Sequence, residues 1–271
     1  MYPGELLIIG GHEEKFNGVE ILRKFAELAG KGRGAVGILP TASEIPEQVS
    51  ADYIEAFKNL GIHDIKVLEV DSREKADSDQ IAAMVSGLSA LFITGGNQSR
   101  LTEFIAGTKL FDALKEARQR GMVLAGTSAG ASIMGSDMIA SAKTKENDKG
   151  LKIEMGKGFG FLENFLIDQH FSQRARFGRL LGAIAENPEL VGIGIDENTA
   201  ILINGSVFKV FGEHQVFVVD GKEGHLIDVI KSDNGGEELT ITDFKLHTLT
   251  DGFSFDLSSR KLISRKEDSQ E

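Results

Sequence analysis

Short unbroken apolar runs alternate along this chain with stretches whose apolar residues recur every three or four positions. The run at 5–10 (ELLIIG) ends at Gly10-Gly11 and has the make-up of a parallel strand buried on both faces. Val19, Leu22, Phe25, Ala26 and Ala29 then mark a helix that Gly30 stops. The alternation repeats with AVGILPTAS at 35–43, a helix through Tyr53, Phe57 and Leu60 closed by Gly61, and DIKVLEV at 64–70. A helix over 74–86, ALFITGG at 90–96, a helical region from Gln98 to about Arg120 and an apolar strand from Met122 continue it. Strands and helices joined by such short connections predict an α/β fold, its parallel sheet covered on both faces by right-handed crossovers.

Beyond residue 135 the pattern loosens. Residues 140–160 are polar and glycine-rich, which predicts a loop or flap rather than a core element. LENFLID at 162–168 makes another strand, and Phe177, Leu180, Leu181 and Ile184 share one helical face. From 191 onward, strands separated by glycine turns predict an antiparallel extension of the same sheet, with 201–271 forming the end of a single domain that spans 1–271. The tail RKEDSQE is expected to fray.

Composition narrows the function more than the fold. A formal charge of −11 disfavours a nucleic-acid partner, and no polybasic stretch offers itself to a membrane surface. The chain has no cysteine, which excludes disulfides, thiolate-bound metals and a cysteine nucleophile together. The opening MYPGELLIIGG has no basic segment before its apolar run, and the run is too short for a signal peptide or membrane span, so a cytoplasmic protein is expected.

The stretch 121–135, GMVLAGTSAGASIMG, reads as a strand, a tight turn and a small-residue helix. Glycines two residues either side of Ser128 allow the strained reversal of a nucleophile elbow, which lifts the hydroxyl out of the sheet edge. In an open parallel sheet, ligands sit beyond the carboxyl ends of the strands. Gly10-Gly11, Pro40 to Ser43, Gly95 to Gln98 and the Ser128 turn all fall on that rim. A serine needs a base within hydrogen-bond reach and a third group to orient that base. Of six histidines, His170 lies just past a strand end in LIDQHF, and His12, on the same rim, is the reserve for substrate contact. Glu197 is favoured as the orienting acid, with Asp196 beside it competing on spacing alone. The N–H groups of Ala129 and Gly96 suit an oxyanion hole. Arg174, Arg176 and Arg179 follow the candidate base, and guanidinium forks suit carboxylates; surface pairs with Glu186 or Glu189 are the plain alternative.

The segments GGHEEKFNG, ILPTAS, ITGGNQSRL, LAGTSAGASIMG, DQHFSQRARFGRLL and NPELVGIGIDENTA run in this order over roughly residues 8–200. Together they resemble the cyanophycinase family, serine peptidases of the clan that also contains bacterial aspartyl dipeptidases. The resemblance implies a three-layer α/β/α sandwich with a mainly parallel sheet, similar to class I glutamine amidotransferases, assembled as a homodimer. It implies hydrolysis of cyanophycin, a poly-aspartate backbone carrying arginine on its side-chain carboxyls, to β-Asp-Arg dipeptides through an acyl-enzyme. Carried over residue by residue, it makes Ser128 the nucleophile, His170 the general base and Glu197 the third member, with Gly96 and Ala129 as oxyanion donors. Gln98, Asp168, Gln169, Arg174, Arg176 and Arg179 would then line the substrate pocket. The lysine-rich 140–160 stretch matches no motif of the family. No cofactor is expected and no metal, since no pair of histidines stands at the helical spacing of a zinc hydrolase. An α-aspartyl dipeptidase and a non-catalytic peptide-binding protein are the alternatives on the same fold. A glutamine amidotransferase would need the missing cysteine.

Overall fold

The computed structural model describes residues 3–16, 19–30, 32, 34–143, 152–231 and 237–263. The first half contains β1 (Leu6–Ile9), α1 (Glu20–Gly30), β2 (Ala35–Leu39), α2 (Pro46–Asn59), β3 (Ile65–Val67), α3 (Arg73–Ala76), α4 (Asp79–Ser86), β4 (Leu88–Ile93), α5 (Gln98–Ile105), α6 (Lys109–Gln119) and β5 (Val123–Thr127). The five strands lie side by side in the order β1-β5-β4-β2-β3, all parallel. Serine and threonine caps divide two of the expected helices: Ser78 opens α4 and Thr108 opens α6, each accepting a backbone N–H.

Unbroken apolar runs form these strands because both faces of the sheet are covered. In β1, Leu7 and Ile9 join Leu22 and Phe25 of α1 and Phe57 of α2, while Leu6 and Ile8 face the opposite layer with Leu101, Ile105 and Leu114. Under α1 and α2, the rings of Phe25, Tyr53, Phe57 and Phe92 stand 4.6–5.8 Å apart centre to centre. Each such pair adds about 0.5–1.5 kcal/mol beyond the area it buries.

After β5 the chain runs through α7 (Ala129–Ser132), β6 (Gly135–Lys143), β7 (Lys152–Lys157), β8 (Leu162–Gln169), α8 (Phe177–Glu186) and β9 (Val191–Ile195). It then forms β10 (Thr199–Asn204), β11 (Val207–Gly212), β12 (Val216–Asp220), β13 (His225–Lys231), β14 (Glu237–Thr242), β15 (Lys245–Leu249), β16 (Ser254–Asp256) and β17 (Lys261–Ile263). The α/β class and the mainly parallel central sheet match expectation. The later strands do not all extend that sheet. β10, β11, β16 and β17 continue it beyond β1 as antiparallel strands, whereas β15-β12-β9-β8-β6-β7 make a second sheet of six and β13-β14 a separate hairpin. Phe165, Ile167, Ile193 and Val218 of the second sheet share a core with Leu6 and Ile8, and its far side receives α8 through Leu180, Ala183 and Ile184.

The 140–160 stretch departs from the loop predicted for it. β6 and β7 pair antiparallel from Asp137↔Lys157 out to Lys143↔Lys152, because Ile139, Ile153 and Met155 give the pair an apolar face toward α8 while Met138 enters the core on the other side. Residues 144–151 and the tail 264–271 lie outside the described residues.

Candidate active site

Ser128 connects β5 to α7 with φ 51 and ψ −111, a conformation that side-chain-bearing residues seldom adopt. The two glycines that flank it leave no room for a side chain. A Cβ on Gly126 would stand 2.2 Å from the carbonyl oxygen of Gly130, and one on Gly130 would stand 2.3 Å from that of Ile93. Since α7 is a single turn, it offers the unpaired N–H groups of a helix start rather than a long dipole. Among the described residues, the N–H groups of Ala129 and Gly96 have no intramolecular hydrogen-bond partner. Gly96, at φ 138, also has its Cα against the Ala42 carbonyl, which a Cβ would meet at 2.1 Å, so the position admits only glycine.

The second sheet brings the partners. His170 follows β8 directly, is 3% exposed, and sets its Nε2 2.9 Å from Ser128 Oγ. Its Nδ1 lies 2.6 Å from Glu197 Oε1, just beyond β9. With Glu197 accepting at Nδ1, the neutral ring turns its Nε2 lone pair toward the hydroxyl. Burial pushes the His170 pKa down to about 4, against the upward pull of the Glu197 hydrogen bond and with a further downward push from Arg174. Gly11 makes room for the ring: a Cβ there would stand 2.3 Å from the imidazole Cε1. Asp196, the competitor, is tied elsewhere, its buried carboxylate accepting the N–H groups of Ser172 at 2.8 Å and Gln215 at 3.3 Å. Three successive carbonyls at the end of β1 hold these segments together. Ile9 accepts from Ser128 N–H at 3.1 Å, Gly10 from His170 at 2.8 Å and Gly11 from Asn198 at 2.9 Å.

A cavity of about 570 Å³ is lined among others by Gly96, Gln98, Arg176, Arg179 and Gln169, whose Oε1 lies 3.4 Å from Ser128 Oγ. Two of the residues expected to line it lie elsewhere. Asp168 is 1% exposed and sits beneath the arginines, accepting from Arg179 Nε at 2.7 Å and also from Arg179 Nη2 and Arg176 Nη1. Arg174, in the turn between His170 and α8, is exposed and outside the lining. Gln98 donates from Nε2 to the Ile139 carbonyl of β6. Burial lowers the Arg176 pKa to about 10.

One buried group was missed in the sequence. Glu13, 4% exposed, accepts from Thr127 Oγ1 at 2.6 Å and from the Tyr53 hydroxyl, whose pKa burial and this carboxylate raise well above the usual value. It braces the residue just before Ser128 and borders a second cavity of about 480 Å³ that also touches Ser128 and His170. Its place two residues after Gly11 on the rim was the available signal.

A serine on an elbow, an imidazole and a carboxylate in one hydrogen-bonded line on an α/β scaffold is the arrangement of serine hydrolases. The chain belongs to peptidase family S51, whose model matches residues 6–211. It is 36% identical over 261 residues to the cyanophycinase of Trichormus variabilis, covering 95% of this chain and 87% of that one. To the cyanophycinase of Geminocystis herdmanii it is 38% identical over 219 residues, 80% of each chain. In fold it is similar to a peptidase from an acI-B1 Actinobacterium, with TM-score 0.70 and 24% identity over 94% of this chain and 97% of that one.

Proposed function

We propose that the chain is a serine-type peptidase that cleaves cyanophycin to β-Asp-Arg dipeptides through an acyl-enzyme. The observation that carries this is the unbroken line from Ser128 Oγ through His170 to Glu197, at 2.9 and 2.6 Å, beside a cavity walled by two arginines. In this reading Ser128 attacks the backbone carbonyl of the polymer while His170 Nε2 takes the hydroxyl proton. Glu197 stabilises the imidazolium that results. The amides of Ala129 and Gly96 take the developing oxyanion, an interaction whose loss costs about 3–4 kcal/mol per donor. His170 then protonates the leaving amine, and a water activated by the same ring releases the product.

The substrate assignment draws on the cavity as well as on the relatives. Each β-Asp-Arg unit carries a free α-carboxylate, which suits Arg176 and Arg179, with Gln98 and Gln169 adding amide contacts. Asp168 acts as a positioning residue for the two arginines. Arg174, exposed at the mouth, meets polymer outside the cavity. The chain from 1 to 271 serves as one catalytic unit in this reading, since β10, β11 and β16 lie in the sheet that carries Ser128. A homodimer and a cytoplasmic location complete it; light scattering of the purified protein tests the first and cell fractionation the second. Among the described residues, no helix is long and apolar enough to cross a membrane.

Incubating the protein with purified cyanophycin and weighing the products by mass spectrometry tests the function. Dipeptide release is expected from the native chain and none from Ser128→Ala, with unchanged circular dichroism. Undiminished release by that variant would sink the nucleophile assignment, and preference for free Asp-X dipeptides would move the substrate class to an aspartyl dipeptidase.

A further inference from the structure

Three potential metal ligands meet at the mouth of the site. His12 follows β1 in a turn with φ 49, and its Nε2 lies 4.0 Å from the same Glu197 Oε1 that meets His170 Nδ1. The two imidazoles stand edge to face with centres 5.1 Å apart, and one donor atom from each of the three residues falls within 4.8 Å of the other two. Two imidazoles and a carboxylate, with a fourth position open to water, make a zinc donor set. No spacing in the chain announces it, because the three residues follow β1, β8 and β9 separately. The His12 side chain is 69% exposed and that of Glu197 25%, so an ion reaches the cluster from solvent.

We infer that His12, Glu197 and His170 form a zinc site at which the bound ion switches the peptidase off. Zinc bonds of about 2.0–2.1 Å place tetrahedral ligand atoms about 3.3 Å apart. His12 Nε2 must therefore approach Glu197 by about 0.7 Å and His170 Nδ1 by up to about 1.5 Å, and Glu197 must draw back from His170 Nδ1 by about 0.7 Å, movements within the reach of rotating the exposed His12 side chain. Zinc takes the lone pair at Nδ1, and the proton formerly there passes to Nε2, so the ring neither gains nor loses a proton. Nε2 has then become a donor. It no longer accepts the Ser128 proton, and Glu197, engaged by the metal, no longer orients the ring. The inhibitory consequence rests on the peptidase reading; the binding does not.

Calorimetric titration of zinc chloride into the full chain carrying Ser128→Ala measures binding with turnover removed. One zinc per chain is expected, and His12→Asn should weaken it at least about tenfold. Asparagine is chosen because it tolerates the positive φ at that position. Cobalt(II) in place of zinc should give the visible absorption of a four-coordinate site and lose it in the His12→Asn protein. With Ser128 intact, zinc should inhibit cyanophycin hydrolysis and EDTA restore it. His12→Asn should raise the half-inhibiting concentration by the same factor, each protein being normalised to its own zinc-free rate. Equal affinity in the His12→Asn protein, or no binding at millimolar zinc, overturns the site. Binding that leaves hydrolysis untouched overturns the switch. A native chain that binds zinc yet never hydrolyses the polymer overturns the peptidase reading, and with it the switch, while the site stands.

Discussion

His170 sets the acid limit of this protein in two ways. Burial takes its pKa from 6.5 down to about 4, so the ring stays neutral, and able to accept a proton, well below the pH at which a solvated imidazole would be charged. The acid limb of kcat/KM, which reports the free enzyme, should accordingly fall well below pH 6.5. A limb centred at the ordinary histidine value would contradict it. The same shift acts on stability with a definite sign. The unfolded chain binds a proton near 6.5 that the folded chain refuses until about 4, so this group costs stability as pH falls through that window and nothing above it. At the arginine wall, Asp168→Asn removes a carboxylate that serves both Arg176 and Arg179. We expect a loss of about 3 kcal/mol in urea denaturation, since two largely buried cations lose their counter-charge. KM for the polymer should rise more than kcat falls. Ser128 and His170 were legible because each has a local context, a glycine-flanked turn and a strand end. Glu197 was favoured over Asp196, but spacing alone left the two in competition, because neighbours in the chain differ only in which way the folded backbone points them.

At the scale of elements, the alternation V-G-I-G-I in β9 has a plain cause. Val191, Ile193 and Ile195 face the core between the sheets, while Gly192 and Gly194 face α8 and Phe171, where no side chain fits. A Cβ on Gly192 would stand 2.8 Å from Leu180, and one on Gly194 would stand 2.6 Å from the ring of Phe171, the residue after His170. Both alanine variants should lose about 1–3 kcal/mol to overpacking. Gly194→Ala alone should also lower kcat, because the displaced ring drags the imidazole with it. Equal kcat in the two would sever that link. The first half of the fold was readable because strands buried on both faces have no polar positions to blur them. The second sheet was not, since an alternating pattern says that one face is wet or crowded and nothing about which sheet a strand joins. β6 and β7 were hidden for a related reason: Glu154 and Lys157 are exposed, and such polar positions in the sequence resemble a loop.

For the molecule as a whole, Ser128 follows a strand of one sheet, His170 a strand of the other, and Glu197 lies in the connection from the second sheet back to the first, so the three side chains stay in line only while the sheets keep their registry. Registry between two layers is written in no local stretch. It is kept by the end of β1, whose three consecutive carbonyls hold the backbones of Ser128, His170 and Asn198. Amides that share one anchor should open in one event. In deuterium, the N–H groups of these three residues should therefore exchange at a common rate, slower than their loop positions suggest. Mass spectrometry of native peptides would detect three unrelated rates if the segments breathe independently. If they move together, inactivation on warming should track that exchange rather than the later collapse of the core.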